Sequence, residues 1–183
     1  MTIETQPTVA GLALRTAALD DAAFVADMFT ALWPDEPEDP VMTRHFWEHP
    51  WDEGKWERWI GAQNGKSVAF VAYGHAPWEV MPERYARLQG DLLPVLSTPD
   101  RLGALIDFAE ERAKADGALR VTKWAREHDA LQIGVLGTRG FKETRRERFW
   151  ELDLKANREK LAKMADASRA RMREQGITIL TLA

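Results

Sequence analysis

A histidine followed four residues later by a glutamate, in "GHAPWEVMPER" (74–84), has the residue types for proton transfer. His75 follows the end of a strand-like run, a place where pockets form, and a neutral imidazole there can act as a general base. Glu79, on the same loop, is the alternative base. With Glu83 it can also hold a cationic group. The plainer readings are a hydrogen-bonded structural histidine and solvated carboxylates.

Two other stretches carry chemistry in outline. "HFWEH" (45–49) matches the H-x-x-E-H spacing in which two histidines on successive turns bind zinc and the glutamate activates water. Pro50 ends that helix at once, and no downstream acidic ligand stands in a recognisable context, so these read as side chains of a short helix and no metal ligand is assigned. "LLPVLSTPDRLGALIDFAEERAKADG" (92–117) reads as strand, turn and amphipathic helix, an arrangement whose free N–H groups and dipole favour phosphate. Within it, however, Thr98 is placed to cap the helix, Pro99 lacks an N–H, and Asp100 puts a carboxylate where an anion would sit.

Tryptophan is the other unusual feature. Of eight, five fall between Trp33 and Trp59. Trp47, Trp51 and Trp78 are candidates for lining a substrate groove, with core packing as the competing reading.

These residues need a scaffold, and composition says which kinds are available. The 183 residues, 45% hydrophobic and 30% charged, suit one folded domain with a full core. A net charge of −4 supplies no global attraction to nucleic acid or an anionic membrane. The absence of cysteine removes disulfides, thiolate nucleophiles and thiolate metal sites together. No segment approaches the ~20 apolar residues of a membrane span, and the N-terminus lacks the features of a signal peptide, so a cytoplasmic protein is expected.

Periodicity then orders the elements. "LALRTA" alternates as a strand and residues 19–33 form an amphipathic helix; "PVMTRHFWEH" is a short second helix. Residues 55–76 form two strands about Asn64-Gly65, a pair suited to a tight hairpin turn. A strand at 85–97, the helix above, a strand over 118–127, a helix over 128–140 and a long strand over 141–154 follow. A polar helix over 157–175 leads to an apolar terminal strand. Consecutive strands pair antiparallel and the later strand-helix-strand unit forces a parallel pair, so the expected class is α/β: a mixed central sheet with helices on both faces.

This order, carried by "LALRTAALDDAAFVADMF", "AEERAKADGALRVTKWARE" and "GTRGFKETRRERFWELDL", resembles the GNAT acyltransferase family over roughly residues 11–154. The resemblance implies transfer of an acetyl group from acetyl-CoA to an amine of a small-molecule acceptor, with His75 or Glu79 as base. It also implies backbone contacts to the cofactor around Leu96, Arg101, Leu102, Gly103 and Ala104. The family's phosphate loop is about three residues shorter here. Its frequent Asn falls on Asp129, and its frequent Tyr acid on Leu136, which cannot donate a proton.

"GHAPW" and the tail further resemble proteins with two such domains in tandem: a domain at 1–154, a linker helix at 155–176, and residues 177–183 as the first strand of a second domain. The apolar tail strand needs a sheet, its own or that of a second copy in a homodimer. The alternative to an enzyme is a catalytically inactive binding or scaffold domain of the same fold, or the N-terminal half of a tandem acetyltransferase.

Overall fold

In the computed structural model, which describes residues 7–50, 53–148 and 152–177, the sheet grows outward from one hairpin. Asn64 and Gly65 take φ of 51° and 75°, the left-handed pair that twists with its flanking strands. They join β3 (Lys55–Gln63) to β4 (Lys66–His75). On one side lie β2 (Leu12–Thr16) and the two-residue β1 (Thr8–Val9); on the other lie β5 (Tyr85–Leu92) and β6 (Arg120–Thr122). The spatial order is β1-β2-β3-β4-β5-β6. Every neighbour pair is antiparallel except β5–β6. The sheet is therefore mixed, as its class requires.

Residues 68–75 of β4 are all buried, the mark of a central strand covered on both faces. Phe70 and Ala72 pack with Val25, Met28 and Phe29 of α1 (Ala22–Leu32) and with Trp47 of α2 (Pro40–Glu48). Val71 and Tyr73 face the larger cluster beneath α3 (Pro99–Ala115) and α4 (Ala130–Thr138). The stripe Leu102, Leu105, Ile106, Ala109 and Ala113 fixes which face of α3 turns inward. Leu105 and Ile106 are fully buried, each worth about 1.5–3 kcal/mol of transfer free energy. A parallel β5–β6 pair cannot be closed by a hairpin, and α3 supplies the crossover.

Two strands differ from expectation. The one read over 118–127 is ordered only as β6, because Leu119 and Trp124 are exposed and only Arg120 to Thr122 meet β5. Residues 141–148 of the long strand read over 141–154 form no strand. "KETRRER" alternates charges rather than apolar and polar residues, so it has no face to bury; Arg146 instead bonds Glu143 at 3.1 and 3.0 Å. Residues 149–151 lie outside the described set.

The chain divides into compact units at Met1–Lys142 and Glu143–Ala183. In the second, α5 (Arg158–Glu174) has no buried residue and ends before Gly176 at φ 68°. The terminal strand read over 177–183 lies, past Ile177, outside the described residues. Among those residues no helix is long and apolar enough to cross a membrane.

Candidate functional site

The parallel strands diverge almost as soon as they meet. Tyr85, Ala86 and Arg87 pair with Arg120, Val121 and Thr122. Beyond that β5 runs on to Leu92 while β6 stops, opening a gap beside residues 88–92. The gap is bridged by charge: Lys123 Nζ lies 3.5 Å from Asp91 Oδ2, with both side chains under a tenth exposed. Gln132 Nε2 of α4 donates to Asp91 Oδ1 at 3.0 Å. One carboxylate thus ties β5, the segment after β6 and α4 together. Such a pair stands only while both partners remain, since either charge alone would be buried uncompensated.

At the C-terminal end of β5 the chain turns through a helical turn at Pro94–Leu96 into α3. The N–H groups of this passage are largely spoken for. Leu96 and Ser97 donate to the carbonyls of Leu93 and Pro94, Leu102 donates to the carbonyl of Thr98, and Arg101 donates to Thr98 Oγ1 at 3.3 Å. Pro99 has no N–H, and Asp100 is exposed in the first turn. The Cβ that Gly103 lacks would strike the Arg139 guanidinium, which lies across it. Arg139 is held there by Asp107 at 2.6 and 2.8 Å. Backbone contacts at Leu96, Arg101 and Leu102, as the resemblance implies them, are therefore preempted by internal bonds. Ala104 sits one turn inside the helix. What this end does offer an anion is the guanidinium of Arg101, which forms no ion pair among the described residues, whereas Arg139 is already paired with Asp107.

His75 and Glu79 lie at the opposite end of β5. His75 is buried, its ring stacked on Trp78 at 3.5 Å and 2°. Its Nε2 is 2.8 Å from Asp116 Oδ2 and its Nδ1 2.7 Å from the carbonyl of Ala76. Trp78 Nε1 donates to the carbonyl of Asp116 at 3.0 Å. Both ring nitrogens therefore already face oxygens. His75 borders a cavity of about 20 Å³, room for one water. Glu79 is exposed and has no ion pair among the described residues, whereas Glu83 bonds Arg120 at 2.7 Å.

Asp116 also accepts from Lys55 at 2.6 Å, and Lys55 reaches Glu57 at 3.0 Å, which in turn holds Arg112 at 3.1 Å. Burial acts to raise the Asp116 pKa, but the hydrogen bonds from Lys55 and His75 prevail and hold it below the usual carboxylate range. Burial also pushes the Tyr73 hydroxyl, beside the same cluster, up to about 12.

The three groove tryptophans are not brought together. Trp78 packs against the cluster beneath α3, while Trp47 lies across the sheet, stacked on Phe70 at 5.6 Å. Trp51 lies outside the described residues. His45 and His49 pack ring to ring at 4.8 Å, and Glu48 bonds Arg44 at 3.1 Å. Asp129 caps α4 by accepting from the Gln132 N–H at 2.9 Å, and Leu136 is buried in the core.

Sequence reasoning missed Asp91, Lys123 and Gln132. A lone acid inside the apolar run "GDLLPVL" was the signal that a buried pair was present.

No family model matches the sequence, and no curated protein matches it. Solved structures do. A transcriptional regulator of Bacillus halodurans superposes with a TM-score of 0.63 at 17% identity, covering 77% of this chain and 99% of that one. A ribosomal-protein-alanine N-acetyltransferase of Brucella melitensis biovar Abortus superposes at 0.61 with 14% identity, covering 78% and 99%. An aminoglycoside N-acetyltransferase solved with CoA superposes at 0.58 with 16% identity, covering 80% and 97%.

Proposed function

The chain has the GNAT acetyltransferase fold, and from that premise we propose that it is an acetyl-CoA-dependent N-acetyltransferase acting on the amine of a small-molecule acceptor. The observation that carries the reading is the parting of β5 and β6, which leaves residues 88–92 of β5 without a ladder partner on that side. Acetyl-CoA, when bound, supplies the activated acetyl group. The phosphate end fits a side chain better than backbone: Arg101 stands in the first turn of α3, while the local N–H groups are engaged.

Glu79 is the better of the two candidate bases, because a base must present a free lone pair and His75 has both nitrogens engaged. His75 then acts as a positioning residue, holding the 75–80 loop through Trp78 and Asp116. If so, Glu79→Gln lowers kcat by about a hundredfold. An unchanged kcat in that folded variant would discard the assignment.

A second reading has its own observation. The self-capped start of α3, with Asp100 in its first turn, and the charged bridge across the gap both favour a domain of this fold that binds without catalysis. Calorimetry with CoA and acetyl-CoA, followed by a turnover assay against a panel of amines, separates the two.

A further inference from the structure

Where β2 ends at Thr16 and the chain turns away toward α1, the first residues of β3 are left without a strand partner on that side. An open cavity of about 330 Å³ fills this edge, walled by Trp47, Trp56 and Trp59 and by residues 16–19. Three arginines stand in or beside it. Arg15 is held by Asp21 at 2.7 and 2.6 Å, and Arg112 by Glu57 at 3.1 Å. Arg58 alone has no carboxylate among the described residues. Its guanidinium carbon lies 5.0 Å from the Trp47 ring centre and 5.3 Å from that of Trp56, half-buried and deprived of much of its hydration. Burial without a counter-ion pushes its pKa down to about 10.

A half-buried cation with no carboxylate among the described residues, between two indoles and beside an open cavity, has the form of a binding group awaiting its anion. We propose that this cavity binds a small organic carboxylate with a flat apolar body, its carboxylate on Arg58 and its body against the indoles. One planar guanidinium fork matches one carboxylate. A phosphate brings more charge and more acceptors than one guanidinium fork satisfies. The site is on the edge of β3, on strands other than the β5–β6 gap, and it does not rest on acetyl transfer.

The test is calorimetric titration of the full chain with benzoate, phenylacetate and indole-3-acetate, against benzyl alcohol and inorganic phosphate. At least one aryl carboxylate binds saturably, benzyl alcohol binds at least about tenfold more weakly, and Arg58→Met weakens the carboxylate by about tenfold or more. Arg58→Lys, keeping charge without the fork, falls between. Circular dichroism establishes that each variant is folded, and the wild-type comparison of benzoate with benzyl alcohol stands even if Arg58→Met is not. Absence of saturable binding by all three carboxylates, equal binding of benzyl alcohol, phosphate binding more tightly than the carboxylates, or unchanged binding in folded Arg58→Met would each overturn the proposal.

Discussion

Asp91 and Lys123 show what a single buried charge does in this protein. Lys123→Met leaves the Asp91 carboxylate with Gln132 alone and should destabilise by about 3–5 kcal/mol. Asp91→Asn combined with Lys123→Met leaves a neutral amide able to accept from Gln132, so the double variant should recover much of that loss. A urea double-mutant cycle measures the difference, and additive losses would contradict the pairing. Asp116 gives a pH dependence. Its folded pKa lies below its unfolded value near ~3.9, so its contribution is present above that value and fades as pH falls through the folded pKa. Asp116→Asn should therefore flatten the acid limb of stability measured by urea midpoints below about pH 4, and an unaltered limb would refute the role given to Lys55 and His75. Neither cluster was legible in the sequence in full, because Lys55, His75 and Asp116 meet only after β3, β4 and the end of α3 have been assembled. Arg58 was hidden for the same reason: its cavity draws its walls from residues 16 to 112.

The elements themselves were legible wherever a local rule decided them. Asn64-Gly65 specified its hairpin through backbone conformation, and Thr98-Pro99 specified the start of α3 through capping. Thr98→Ala should cost about 1 kcal/mol by thermal melt, while a cost near zero would mean that the cap bond at 3.3 Å carries little. The same cap argues a functional experiment. Lengthening the turn before α3 by about three residues, glycine among them, frees backbone N–H groups at the helix start and should tighten CoA binding. Unaltered affinity in a folded variant would show that guanidinium groups, rather than the backbone, set cofactor affinity. The elements misread were those whose order depends on a partner. β6 is three residues long because β5 meets it over only three, and residues 141–148 carry too many charges to find a buried face.

At the scale of the whole molecule, order of elements was the informative quantity. Antiparallel strands followed by one parallel crossover admit few arrangements, and the α/β mixed sheet with α1 and α2 on one face and α3 and α4 on the other is the one formed. Function is less determined by that order, since sites are placed on folds and can be altered while the fold persists. Here α3 is capped internally, the divergent strands are bridged by a buried ion pair, and the candidate histidine is engaged at both nitrogens. We nevertheless propose that the unpaired edge of β5, with Arg101 at one end, takes an acyl-CoA. Isothermal titration of the folded protein with acetyl-CoA and with CoA tests this most directly. Saturable one-to-one heat is expected for both, weakened when Arg101 is replaced by glutamine; a folded sample that gives no heat at roughly millimolar cofactor, an affinity no tighter than about −4 kcal/mol, would contradict the proposal.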